Sequence, residues 1–189
     1  MDQFGQVGQV EQATPQTDYL IRRATPNDAA RLSEFAERTF RETFAADNKP
    51  ADMDVYCLQA FSLATQSAEI ADPSIDTILL EDRSGTLVAY AQLRIGPTPT
   101  DVKGPGPIEL VRFYVDRSHH GSGLAQLLME EAIATASGRG ARTIWLGVWE
   151  RNFRARAFYR KFGFADVGDH EFHLGQDIQT DLVMALEIT

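Results

Sequence analysis

Two stretches of this chain carry residue types whose spacing could do chemistry. In the first, an apolar strand over 110–115 runs into Asp116-Arg117-Ser118-His119-His120-Gly121-Ser122-Gly123, and then into a helix-forming run with Leu124, Leu127, Leu128, Met129 and Ile133. A helix that starts just after glycines leaves its first backbone N–H groups unsatisfied and turns the positive end of its dipole outward. Gly121 and Gly123 also put no side chain in the way of an approaching phosphate. A pyrophosphate fits such a turn. Many strand-to-helix connections take the same glycine-rich form for structural reasons alone, so the turn by itself leaves both readings open. No Gly-Lys-Ser/Thr closes it, and Gly121-x-Gly123 is followed by Leu124-Ala125-Gln126 rather than by a third glycine in dinucleotide spacing. Walker-type nucleotide and NAD readings are thereby excluded.

The second stretch is Asn152-Phe153-Arg154-Ala155-Arg156-Ala157-Phe158-Tyr159-Arg160-Lys161-Phe162-Gly163-Phe164. It reads as a short helix closed by a glycine, with Ala155, Phe158 and Tyr159 near one face. Alone it is an amphipathic helix whose aromatics pack, and its cations, Arg151, Arg154, Arg156, Arg160 and Lys161, are either a solvated face or a set of phosphate partners. His170, Glu171 and His173 lie on an expected terminal strand, where alternation puts His170 and Phe172 on one face and Glu171 and His173 on the other. Metal binding has little support, because neither His119-His120 nor His170-x-x-His173 has a third ligand in reach of the sequence pattern.

Strands and helices must position these groups. A strand is expected over 19–23. Thr25-Pro26-Asn27-Asp28 then supplies a capping hydroxyl, a proline suited to a first helical turn and an early acid. Apolar residues Ala29, Leu32, Phe35, Ala36, Phe40 and Phe44 recur at helical spacing, and Asp47-Asn48-Lys49-Pro50 separates them from a second helix through Met53, Leu58 and Phe61. A third short helix extends to about Ile70. The runs 77–81 and 86–95, joined by Ser84-Gly85, read as a hairpin. A loop rich in Pro and Gly precedes a strand over 108–115; then come a helix over 122–137, a strand over 143–148, a helix over 153–162 and terminal strands over 164–174 and 180–188. This order predicts an α/β domain with a mixed sheet and no internal repeat.

Composition bounds the rest. At 189 residues, with 43% hydrophobic and 24% charged residues, the chain suits one globular domain. Residues 1–17, polar and rich in Gln and Gly, read as a flexible tail before a domain spanning 18–189. A formal charge of −9 argues against nucleic acid or an anionic membrane as partner and favours cations. No run approaches a membrane span and no signal peptide is expected, so the assigned compartment is the cytoplasm. Cys57, the single cysteine, is expected as a small core residue in a reducing compartment.

The conjunction of the glycine turn, the strand Trp145-Leu146-Gly147-Val148 and Asn-x-x-Ala-x-x-Phe-Tyr followed by Phe-Gly-Phe resembles the GNAT superfamily of acetyl-CoA-dependent N-acetyltransferases, over nearly the whole chain after the tail. The family's Gln/Arg-x-x-Gly-x-Gly/Ala motif is matched by His120-x-x-Gly123-x-Ala125, with His120 as the departure. The resemblance implies a single-domain fold whose mixed, mostly antiparallel sheet is splayed at the cofactor site and flanked by helices. It implies acetyl-CoA as cosubstrate and no metal. His120, Gly121, Ser122, Gly123, Leu124 and Ala125 would hold the phosphates, backbone groups near Phe113 and Val115 the pantetheine arm, and Asn152 and Tyr159 would contact the cofactor. Tyr159 would also protonate the departing thiolate, its alternative role being an aromatic wedge between strands. Glu109 matches a position where certain histone-acetylating relatives carry a base; an exposed strand-end glutamate, with a water chain accepting the proton, is the alternative.

More narrowly, the segment over 39–61, Trp145-Leu146-Gly147-Val148-Trp149-Glu150 and Phe172-His173-Leu174-Gly175 with Gln179-Thr180-Asp181 look like PaiA-type polyamine acetyltransferases and ribosomal-protein-acetylating relatives. That implies transfer of acetyl to a primary amine, a polyamine or another small cationic amine. A protein amino terminus as acceptor, or a non-catalytic acyl-CoA sensor, stand as alternatives, and a homodimer is left open.

Overall fold

The computed structural model describes residues 18–188; the segment read as a tail lies outside the described residues. Strand β1 (Tyr19–Arg23) leads through a short 3-10 turn, Pro26–Asp28, into α1 (Ala29–Phe44), α2 (Pro50–Ala60) and α3 (Leu63–Ala71). Then follow β2 (Ile75–Asp82), β3 (Leu87–Arg94), β4 (Pro107–Val115), α4 (Leu124–Gly138), β5 (Thr143–Trp149), α5 (Phe153–Lys161), β6 (Ala165–Leu174) and β7 (Asp177–Glu187). The 3-10 turn forms because the Asp28 carboxylate accepts from both the Thr25 N–H (2.7 Å) and the Thr25 hydroxyl (2.9 Å). Asp28 and Glu81 are in turn held by Arg22 and Arg31, which ties the start of α1 to the first two strands.

One seven-stranded sheet runs in the order β1-β2-β3-β4-β5-β7-β6. Every neighbouring pair is antiparallel except β4 with β5. Alternate residues of the central strands bury into two cores, which is why β2 and β3 carry unbroken apolar runs, over 78–80 and 87–91, rather than alternating. Ile78, Leu80 and Leu110 pack with Leu124, Leu128 and Met129 of α4. Leu79 and Tyr90 pack with Leu32, Phe35, Phe40 and Phe61 on the side of α1 to α3. Cys57 belongs to this second core, where burial pushes its thiol up to about 11.

The feature that makes a site is the failure of β4 and β5 to stay together. Their parallel pairing covers only Pro107↔Thr143, Ile108↔Ile144 and Glu109↔Trp145. Just beyond, the β3–β4 register shifts, with Leu93 opposite Leu110 and Gln92 opposite Arg112, so Val111 is an extra residue with no partner in β3. A bulge of this kind bends its strand. β4 turns away from β5, and its remaining residues on that edge face a gap.

Candidate active site

The gap is a cleft of about 760 Å³. Its lining comes from two groups of elements. The turn after β4, the start of α4 and helix α5 supply His120, Gly121, Gly123, Ala125, Asn152 and Tyr159; α1, α2 and the ends of β5 to β7 supply Phe40, Phe44, Tyr56, Trp149, Phe172 and Asp181. Leu110 to Val115 of β4 run between them.

In the first group, Gly121 and Gly123 have φ of 82° and 88°, in the left-handed region that favours glycine, and a Cβ at either would meet no atom within 4 Å. The space beside the turn is therefore open, and α4 begins at Leu124 rather than at Ser122 because its N-cap is left-handed. The first-turn N–H groups of α4 point at that space. His120 fixes the turn from behind: Arg154 donates to its Nδ1 (2.7 Å), so the proton sits on Nε2 and is given to the Val115 carbonyl (3.1 Å). Of the other expected turn residues, Ser122 donates its hydroxyl to the His119 carbonyl (2.6 Å) and Leu124 packs in the core; the cleft lining does not include them. Arg154 and Lys161 line the cleft, whereas Arg160 is paired with Asp166 and Arg156 donates to the Glu150 carbonyl.

Asn152 caps α5, its side-chain oxygen accepting from the Ala155 N–H at 3.1 Å, and this holds the helix against the opened strands. Tyr159 packs edge-on to Phe113, with ring centroids 6.3 Å apart, and beside Phe158 and Phe164. Burial alone raises its phenol, which keeps the hydroxyl protonated. Phe113 and Val115 also line the cleft. Glu109 stands at the last paired rung of β4 and β5, outside the lining, and its Oε2 accepts from Arg94 at 2.6 and 3.1 Å.

Residues 31–164 match the family model described as "Acetyltransferase (GNAT) family". The chain belongs to that family. It is an N-acetyltransferase of the GNAT type, with acetyl-CoA as its acyl donor. An uncharacterized N-acetyltransferase of Mycobacterium tuberculosis is 34% identical over 161 residues, covering 85% of this chain and 98% of that protein. The spermine/spermidine N(1)-acetyltransferase of Bacillus subtilis is 29% identical over 90 residues, covering 47% of this chain and 59% of that enzyme. Among solved structures, the PaiA N-acetyltransferase of Thermoplasma acidophilum in complex with coenzyme A superposes with a TM-score of 0.75 at 20% identity, covering 91% of this chain and all of that one.

The far group of lining residues in this GNAT enzyme is one that the sequence reading did not assemble. Phe44 meets Trp149 edge-on at 6.1 Å, Tyr56 stacks on Phe40 at 4.8 Å and meets Phe172 at 5.3 Å. Among these rings sits Asp181, the one carboxylate among the described residues lining the cleft. Its local signal was an acid leading the apolar run Leu182-Val183-Met184-Ala185-Leu186, on the face shared with Val183. Arg112, deeper in, is committed to Glu69, to Gln92 (2.8 Å) and to the Ala60 carbonyl (2.9 Å).

Proposed function

We propose that this enzyme acetylates a primary amine of a small cationic acceptor, with a polyamine as the best fit. The observation that carries the reading is the division of one cleft: helix-start amides with Arg154 and Lys161 in one group, aromatic rings with a single carboxylate in the other. The first suits the phosphates of the acyl donor, and the second an ammonium group, which is attracted both to a carboxylate and to aromatic faces. The partial similarity to the Bacillus subtilis spermine/spermidine enzyme supports the same acceptor class.

In this reading Gly121, Gly123 and the first turn of α4 hold the pyrophosphate, with Ser122 and Leu124 contributing backbone only. The pantetheine arm lies along Phe113 and Val115, where β4 has lost its partner and exposes backbone groups to the thioester carbonyl. Tyr159 gives its proton to the sulfur that leaves, and Asn152 keeps α5 and hence Tyr159 in place. Glu109 is the acceptor of the amine proton that the family resemblance nominates; from outside the cleft it would work through water while shared with Arg94.

The test is release of free CoA thiol from acetyl-CoA over a panel of spermidine, spermine, neutral-tailed monoamines and a peptide amino terminus. Spermidine or spermine should be the best substrate. Preference for the peptide would move the acceptor to a protein amino terminus, and tight acyl-CoA binding without thiol release from any amine would make the chain a sensor.

A further inference from the structure

Resting on that reading of the acceptor, we propose that Asp181, in place of Glu109, is the catalytic residue that accepts the acceptor's ammonium proton, inside a ring of aromatic side chains that seats the cation.

Asp181 lies in β7 opposite Trp149 of β5 and His170 of β6, 9% exposed, and its Oδ1 is buried with no hydrogen-bond partner among the described residues. An ionised oxygen left unpaired in such a place costs free energy, and chains keep such groups where a ligand supplies the missing partner. The missing partner is a donor, and Asp181 lines the cleft from which one can approach. Trp149, Tyr56, Phe44 and Phe172 line the same cleft and bring aromatic rings, which attract a cation, beside it.

The backbone makes room for this arrangement. Gly147 of β5 also lines the cleft, and a Cβ there would lie 2.8 Å from the His170 Nε2 and 3.3 Å from the Asp181 Oδ2. His170 and Asp181 thus face the same bare stretch of β5. Among the described residues, the titratable groups that act on Asp181 are His170 from β6 and the Tyr56 hydroxyl from α2; β5 lines the cleft with Gly147, Val148 and Trp149 and α1 with Phe40, Thr43 and Phe44, none of them titratable. Gln179, two residues back on β7, is engaged with Asn48 (2.5 Å) and with the exposed Asp177 (2.8 Å). Burial pushes the Asp181 carboxyl up to about 6, with His170 pulling it the other way. Such a carboxylate is still ionised at neutral pH, yet more basic than an exposed one.

One proton passes from the ammonium to the Asp181 carboxylate. The freed nitrogen lone pair forms the C–N bond at the thioester carbonyl as the C=O π pair moves to oxygen. That pair returns and the C–S bond breaks. The sulfur leaves with the bonding pair and takes the Tyr159 proton. The second nitrogen proton restores the Tyr159 hydroxyl through water. Asp181 then releases its proton to solvent, so the net change is one amide, one free thiol and one proton.

The experiment measures spermidine-dependent thiol release against pH for the parent enzyme and for Asp181→Asn, His170→Gln and Glu109→Gln, with CoA binding followed by calorimetry. The parent kcat/KM should fall as pH drops through about 6. Asp181→Asn should lower kcat/KM at neutral pH by ~10²–10⁴-fold and abolish that limb, with CoA affinity retained. His170→Gln, by removing the group that holds the Asp181 carboxyl down, should move the limb to higher pH. Thermal melting gives a readout apart from activity. A carboxyl whose pKa is raised on folding costs stability once ionised, so Asp181→Asn should melt above the parent at alkaline pH, with the gap closing below the carboxyl's ordinary value of 3.8.

An intact rate and limb in Asp181→Asn, or a melting difference that ignores pH, overturns the assignment while acetyl transfer stands. A limb lost in Glu109→Gln but kept in Asp181→Asn gives the role to Glu109. A parent enzyme that releases no thiol with any amine overturns the proposed function, and this assignment with it.

Discussion

Tyr159 separates two jobs that a single aromatic can hold. Its ring is one face of the cluster with Phe113, Phe158 and Phe164, and Phe would keep those contacts. Its hydroxyl has no part in those ring contacts, and burial raises the phenol, so at neutral pH the group stays protonated in a residue that lines the cleft. Tyr159→Phe should therefore lower kcat by ~10²–10⁴-fold, the range for loss of a general acid, with CoA affinity by calorimetry close to the parent value. Near-normal turnover would assign Tyr159 to packing. His120 shows the same economy by a different route. The ring that departs from the family motif is spent on Val115 and Arg154, holding the turn in shape while the glycines and backbone amides face the ligand space.

At the level of elements, the turn and the helix it starts act as one unit. Gly123 is the N-cap of α4 at φ 88°, with open space where a side chain would go. Gly123→Glu would strain that backbone and put a carboxylate into space beside the helix start that suits an anion, so CoA affinity should fall steeply by calorimetry, and unchanged affinity would remove the turn from the site. Asn152→Ala removes the α5 cap and should cost about 1 kcal/mol in a denaturation experiment, with a larger effect on kcat than a surface substitution would have, because α5 carries Tyr159. Both units were legible in the sequence, since glycines, caps and helical spacing are local signals: the α1 periodicity from Ala29 to Phe40 is buried as the pattern predicts. What was not legible is long-range. Val111 reads as one more apolar strand residue, and only its mismatch with Gln92 and Leu93 makes it a bulge. Asp181 enters the cleft because β7 lies between β5 and β6, a strand order that no run of neighbouring residues specifies.

Across the whole molecule, charge is less lopsided than the linear count suggests. From Asp28 to Glu81 there are eleven acids and four bases. Folding brings outside cations onto several of them: Arg22 onto Asp28 and Glu81, Arg112 onto Glu69, and Arg23 and Arg139 onto Asp76. The acceptor end of the cleft is thus not lined by free acids, and Asp181 is its one carboxylate among the described residues. What acts at a distance is the net charge of −9, which draws any polycation toward the surface ahead of the proposed selection of an ammonium by the rings and Asp181. That long-range term is screened as the Debye length shrinks from ~10 Å at 0.1 M salt to ~3 Å at 1 M. With acetyl-CoA held saturating, so that weakening at Arg154 and Lys161 does not enter, the kcat/KM for spermidine should fall as ionic strength rises while kcat stays nearly constant. A neutral-tailed monoamine, carrying one charge, should be a poorer substrate with a shallower salt dependence. Equal rates and equal slopes for the two acceptors would remove polyamines as the acceptor class and leave acetyl transfer itself in place.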